Sequence, residues 1–117
     1  MNLEKSVVEH YTAGSLLEAI LNGIKTAGKT VDSIQLDDLA PLDEFHIGGR
    51  EATRHFLGQM EFRPAMQVLD IGCGLGGTAR FSASQYGCQV TGIDLTQEFI
   101  ETGKTLASWL KMDDRVS

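Results

Sequence analysis

The residue types that could carry chemistry are concentrated between Asp70 and Asp94. Asp70 lies in the apolar, β-prone run at residues 68–71, and glycines follow it at positions 72, 74, 76 and 77. Glycines in this spacing let the backbone turn sharply off a strand end and approach a ligand with no Cβ in the way. Asp94 directly follows a second β-prone run at residues 89–93. The segment therefore predicts a strand, a turn, a helix and a second strand that together bind a nucleotide.

Two kinds of nucleotide are compatible with this pattern. Gly72-x-Gly74-x-x-Gly77 satisfies the dinucleotide fingerprint, and Asp94 stands near the expected ribose-binding acid, about 20 residues further on. Asp70 distinguishes between the two kinds of nucleotide. A turn that receives a pyrophosphate on its N–H groups disfavours a fixed negative charge nearby, whereas a turn that receives an ammonium and a sulfonium favours one. The residues favour a cationic ligand, and an NAD(P)-dependent oxidoreductase fragment is the alternative.

The same residues resemble a known family. Asp-Ile-Gly-Cys-Gly-Leu-Gly-Gly at 70–77 resembles motif I of the class I S-adenosylmethionine-dependent methyltransferases, and Gly-Ile-Asp-Leu at 92–95 resembles the end of the next strand. Leu-Asp-Glu-Phe-His-Ile-Gly-Gly at 42–49 is similar to the segment ahead of motif I in small-molecule methyltransferases of the ubiquinone/menaquinone and sarcosine/dimethylglycine type. The resemblance implies S-adenosylmethionine as the cofactor and a small molecule as the methyl acceptor.

The resemblance also implies which residues contact the cofactor. They lie in the loop ahead of motif I, in the glycine turn and at the end of the second strand: His46, Gly48, Gly49, Asp70, Gly72, Cys73, Gly74, Asp94 and Leu95. The turn would lie against the methionine part of the cofactor, and Asp94 would accept hydrogen bonds from the ribose hydroxyls. The catalytic residues stay unknown, because a lone loop histidine and a cysteine without a neighbouring base are weak candidates.

The expected scaffold is α/β, the N-terminal part of a Rossmann-like methyltransferase fold with its first two or three parallel strands and an incomplete sheet. Residues 1–48 are expected to form a helical cap and residues 49–117 a partial cofactor-binding unit. Helical periodicity and end signals predict helices at 3–12, from the cap Ser15 to Gly28, at 36–40, at 49–60, at 78–86 and after Thr96. Pro41 is expected to stop the helix at 36–40.

Composition narrows the choice of partners. The formal net charge of -6 provides no electrostatic footprint for nucleic acid or for an anionic membrane. The apolar runs are too short to span a bilayer, and the N-terminus lacks a signal-peptide pattern. Cys73 and Cys88 have no metal-binding or redox spacing, so no metal is expected and a reducing cytoplasm fits.

The length of the chain limits what it is expected to do alone. Its 117 residues hold only part of the sheet that the motif implies. The edge of the strand Gln67–Ile71 is then expected to be exposed and to pair with another copy of the chain, forming a homo-oligomer. We expect the chain alone to be inactive, as the cofactor-binding part of a methyltransferase. A non-catalytic interaction or dimerisation module with a relic of this fold is a further alternative.

Overall fold

The computed structural model describes residues 16–43 and 49–117, which form helices and a small parallel sheet. In chain order the elements are α1 (Leu16–Thr26), a 3-10 helix (Leu36–Leu39), α2 (Ala40–Asp43), α3 (Gly49–Gly58), β1 (Gln67–Ile71), α4 (Gly77–Tyr86), β2 (Gln89–Ile93) and α5 (Gln97–Trp109). The helix expected at 3–12 and the cap Ser15 lie outside the described residues. Within them, the predicted alternation of strand, turn, helix and strand is confirmed.

The sheet has β1 and β2 side by side and parallel. Their register pairs Gln67 with Gln89 and Ile71 with Ile93, so both strands end at the same edge of the sheet. Beyond β2, Val116 forms an isolated parallel bridge with Val90. The expectation of two parallel strands is therefore correct, and this bridge lies where the start of a third was expected.

Helices cover one face of this sheet. Val90 and Cys88 are buried there together with the small residues Ala79 and Ala83 of α4. The small side chains let α4 lie close to the strands. A second apolar cluster joins α1 to α5 and to the segment between α1 and α3, through Leu16, Ile20, Ile24, Ile34, Leu39, Leu42 and Leu106. The start of α1 is also tied to α5, because the N–H of Leu16 donates to Oε1 of Glu98 at 3.3 Å.

The opposite face of the sheet is open in the part of the chain that the structure describes. Leu69 is 58% exposed, Ile71 75% and Ile93 47%. Side chains alternate between the two faces of a strand, so these three apolar residues share the side away from α4. Among residues 16–43 and 49–117, no helix is long and apolar enough to cross a membrane.

Two local expectations were wrong. Pro41 does not end a helix, because it is the second residue of α2, in a first turn where no backbone N–H is required. The helical stripe of residues 49–60 predicts Ala52, Phe56, Leu57 and Met60 inside and Arg50 in solvent. Leu57 is buried as predicted, but Phe56 and Met60 are 60% and 44% exposed, and Thr53 is buried.

The contacts of Arg50 explain which face of α3 is buried. This residue was expected in solvent, but its side chain is only 11% exposed, and Nε lies 3.7 Å from Oδ1 of Asp37. Its guanidinium also stacks over the ring of Phe81, 4.8 Å from the centroid. An arginine can bury its stem and its planar head against an aromatic ring while keeping an ionic contact. The buried stripe of α3 therefore includes a charged residue.

Leu106 is fully buried between the helices, whereas Leu95 is fully exposed. We expect Leu106→Ala to lower the free energy of unfolding by about 2–5 kcal/mol, because it removes a packed side chain and leaves a cavity. Leu95→Ala should change it by less than about 0.5 kcal/mol. Urea titrations of both variants measure the difference. Equal effects of the two substitutions would contradict the packing described here.

Candidate functional site

The glycine-rich turn begins where β1 ends and bends toward the end of β2. The N–H groups of Gly72 and Cys73 both donate to the carbonyl of Ile93, at 2.8 and 3.0 Å. Gly72, Gly74 and Gly76 have φ of 72°, 57° and 86°. Residues with a Cβ rarely adopt these values, so the alternating glycines are what permits the turn to take this path.

Asp94 connects the turn to the helix that follows β2. Its Oδ2 accepts from the N–H of Gly74 at 2.9 Å, and its Oδ1 accepts from the N–H of Thr96 at 2.9 Å. The hydrogen bonds from Thr96 and then from Gly74 hold the pKa of the Asp94 carboxyl below its usual value. Each carboxylate oxygen can accept a second hydrogen bond. Asp94 is thus ionised, fixed in position and still able to accept from a ligand hydroxyl.

Asp70 is the second carboxylate near the turn. Its environment raises the pKa of its carboxyl, whereas the environment of Asp94 lowers that of the Asp94 carboxyl. Asp70 is half-buried near the end of β1, where its register partner is Gly92 of β2. Partial burial raises the pKa of the Asp70 carboxyl, and the nearby Asp94 carboxylate raises it further. A cation at this position would relieve both effects, because it favours the ionised form.

Cys73 contributes its backbone to the turn, whereas its side chain packs against β2. A Cβ on Gly92 would lie 2.7 Å from Sγ of Cys73, so the thiol occupies the space that a side chain at position 92 would need. Burial raises the pKa of the Cys73 thiol, and the carboxylates of Asp70 and Asp94 raise it further. These conditions disfavour a reactive thiolate. The sequence pattern did not reveal this function of Gly92.

The structure describes two of the four remaining candidate residues. Leu95 directly follows Asp94 and is fully exposed at the same end of the sheet. Gly49 is the first residue of α3 and has a φ of 53°. His46 and Gly48 lie outside the described residues. The structure therefore brings together Asp70, the glycine turn and the end of β2.

A cavity of about 200 Å³ lies beside the turn, between it and α5. Its lining is mostly apolar and includes Leu75, Phe99 and Gly103. Pockets for small ligands commonly measure about 300–1,000 Å³, so this cavity is too small for a nucleoside cofactor. The side of the turn at the ends of β1 and β2, beside Gly72 and Asp94, is the better candidate site. Within residues 16–43 and 49–117, no three histidine, cysteine or acidic residues are grouped so that they could hold a metal ion.

Comparisons with known proteins identify the family and the relatives of this chain. Residues 42–117 match the family described as mycolic acid cyclopropane synthetase. Phosphoethanolamine N-methyltransferase 1 of Zea mays is 43% identical over 53 residues, which are 45% of this chain and 11% of the relative. The chain thus spans about a tenth of the length of this curated relative.

Solved structures show the same fold. A methyltransferase from Geobacter sulfurreducens in complex with S-adenosyl-L-homocysteine aligns with a TM-score of 0.56 at 26% identity, over 75% of this chain and 36% of that one. Geranyl diphosphate C-methyltransferase from Streptomyces coelicolor, also in complex with that compound, aligns with a TM-score of 0.51 at 30% identity, over 56% of this chain and 24% of that one. The predicted Rossmann-like fold is confirmed.

The contacts of Asp94 predict a pH-dependent contribution to stability. Its pKa in the folded chain lies below the usual 3.8, so the stabilisation is present above that value and is lost as pH falls through the folded pKa. We expect Asp94→Asn to destabilise the chain at pH 7 and the difference from wild type to narrow in strong acid. Urea titrations of Asp94→Asn and wild type, at pH 7 and in strong acid, measure this difference in the free energy of unfolding.

Asp113→Asn, at an exposed acid after α5, is the matched control and should have little effect at either pH. A destabilisation by Asp94→Asn that is the same at pH 7 and in acid would show that the carboxylate charge is not responsible.

Proposed function

The chain belongs to the mycolic acid cyclopropane synthetase family of class I S-adenosylmethionine-dependent methyltransferases, and from that membership we propose that its glycine turn binds S-adenosylmethionine. The reaction would transfer the methyl group of this cofactor to a small-molecule acceptor. Relatives named for phosphoethanolamine and for geranyl diphosphate support an acceptor of low molecular weight.

The observation that carries the proposal is the pair of carboxylates, Asp70 and Asp94, beside the glycine turn. Asp70 is held in surroundings that raise its pKa, and Asp94 is ionised beside the turn. S-Adenosylmethionine has an ammonium and a sulfonium, so it supplies the positive charge that Asp70 lacks. A pyrophosphate would instead bring two further negative charges to the same place. This difference argues against NAD(P).

Each candidate residue has a defined task in this proposal. The backbone of Gly72, Cys73 and Gly74 would contact the methionine portion, and Asp94 would accept from the ribose hydroxyls. Leu95 would offer an apolar surface next to the ribose. His46, Gly48 and Gly49 are proposed to lie near the cofactor on the strength of the sequence resemblance.

Methyl transfer from this cofactor requires little assistance from acid or base groups of the protein. The sulfonium already makes the methyl carbon electrophilic, and the departing thioether is neutral. Alignment of the acceptor with the methyl group supplies most of the acceleration in such a reaction. The residues described here would therefore contribute by orienting the cofactor. We assign no general base.

Two further proposals concern the oligomeric state of the protein and its cellular compartment. Within the described residues β1 pairs with β2 alone, so its other backbone edge has no strand partner there, which supports self-association of two chains through the edge of Gln67–Ile71. Both cysteines are free thiols, which supports a reducing compartment such as the cytoplasm.

Calorimetry with S-adenosylmethionine, S-adenosylhomocysteine and NADH tests the cofactor. We expect the first two to bind and NADH not to bind. Asp70→Asn should weaken S-adenosylmethionine by about tenfold, equivalent to roughly 1.4 kcal/mol, because it removes the charge that faces the cation. The loss for S-adenosylhomocysteine should be smaller, since that compound lacks the sulfonium.

The pKa of Asp70 adds a second criterion. That pKa is raised, so affinity for S-adenosylmethionine should fall as pH drops through it, and Asp70→Asn should remove this dependence. Asp113→Asn serves as the charge-matched control. Binding of NADH in preference to both methionine derivatives would overturn the proposal.

Sedimentation equilibrium at several concentrations tests self-association. We expect the wild-type chain to associate as concentration rises and Leu69→Lys to shift it toward monomer, because a charge on an edge strand opposes pairing. Leu21→Lys, at a 39% exposed site on α1, is the control and should leave association unchanged. A wild-type chain that is monomeric throughout would contradict this part.

A further inference from the structure

The carbonyl of Leu75, at the centre of the glycine turn, is enclosed by two elements outside the turn. Nη1 of Arg80, one helical turn into α4, donates to this carbonyl oxygen at 2.6 Å. From the other side, α5 approaches so closely that a Cβ on Gly103 would lie 2.6 Å from the same oxygen. The turn is therefore held by side-chain and backbone contacts that its glycine pattern does not encode.

Arg80 is completely buried. Moving a guanidinium out of water is unfavourable unless its hydrogen bonds and charge are satisfied inside the protein, so a buried arginine calls for a specific explanation. The local packing also fixes where its head lies. A Cβ on Gly76 would come within 3.3 Å of Nη1, so the glycine there leaves room for the guanidinium as well as permitting the positive φ.

The contact with Leu75 determines the orientation of a peptide unit in the turn. The carbonyl of Leu75 and the N–H of Gly76 belong to one planar trans peptide and point in opposite directions. While the carbonyl points to Arg80, the N–H of Gly76 donates to the carbonyl of Cys73 at 2.9 Å. Rotation of this unit would break both hydrogen bonds together.

We propose that Arg80 and Gly103 are positioning residues for the cofactor site, which hold the Leu75–Gly76 peptide in one orientation. Arg80 supplies the donor, and Gly103 lets α5 close the space on the other side of the carbonyl. Neither residue needs to touch the cofactor. Their effect reaches it through the turn, where the N–H of Gly74, two peptide units earlier, donates to Asp94.

Hydrogen exchange of backbone amides, measured by NMR without any ligand, tests the positioning itself. We expect Arg80→Met to speed exchange of the Gly76 amide by at least about tenfold relative to the Gln89 amide, which donates to Met66 and reports on the sheet. Arg80→Lys should restore part of the protection, because lysine keeps the charge and a donor. If the two amides change in proportion in both variants, Arg80 acts only on global stability and the inference is overturned.

Gly103→Ala provides an independent variant if Arg80→Met does not fold. Alanine is favoured over glycine within a helix, so a loss of stability at position 103 must come from the contact with Leu75. Gly58→Ala in α3 is the matched control, since a Cβ there meets nothing within 4 Å. We expect Gly103→Ala to destabilise the chain and to speed exchange of Gly76, and Gly58→Ala to do neither. Identical behaviour of the two variants would overturn the inference.

The link to the cofactor rests on the proposed function and is measured separately, by calorimetry with S-adenosylhomocysteine. Arg80→Met should bind it about tenfold more weakly than wild type, with Arg80→Lys in between. Equal affinity of all three, with Gly76 loosened in Arg80→Met, would show that the peptide orientation is not used for binding. A wild-type chain that does not bind at all would contradict the proposed function, while the exchange data would still decide whether Arg80 orients the turn.

Discussion

The candidate site depends on one carboxylate that joins two neighbouring strand ends. Asp94 follows β2, yet it binds the N–H of Gly74 in the turn after β1 and the N–H of Thr96 before α5. The hydrogen bond from Gly74 is available because the parallel register ends both strands at the same edge of the sheet, whereas the bond from Thr96 is local. An acid one strand away thereby holds the turn in place, and the same acid remains able to accept from a ligand.

The charges around the turn are arranged in layers. Asp70 and Asp94 make one side electronegative, and each carboxylate raises the pKa of the nearby Cys73 thiol. The guanidinium of Arg80 is buried beneath the turn and contacts the carbonyl of Leu75. A cationic ligand at the turn would thus meet Asp70 and Asp94, whereas the guanidinium of Arg80 is buried and donates to the backbone.

Local features of the sequence predicted β1, the glycine turn, α4 and β2 correctly, because each depends on neighbouring residues. Apolar β-prone runs form the strands, and glycines permit positive φ in the turn. The contacts that position the turn depend instead on residues far apart in the chain. Nothing in the spacing of Gly92 or Gly103 indicates that Cys73 and Leu75 fill the space beside them. The burial of Arg50 was missed for a related reason, since periodicity arguments treat arginine as a surface residue although it can pack on Phe81.

The register of β1 and β2 has a consequence for insertions and deletions. Side chains alternate along β1, so that Val68 lies on the helix-covered face and Leu69 on the open face. A shift of one residue between the strands would exchange the two faces. It would carry the Asp70 carboxylate to the open face and turn apolar side chains toward the glycine bend. Adding or removing a single residue inside β1 should therefore damage the chain far more than the same change in the exposed segment between α3 and β1.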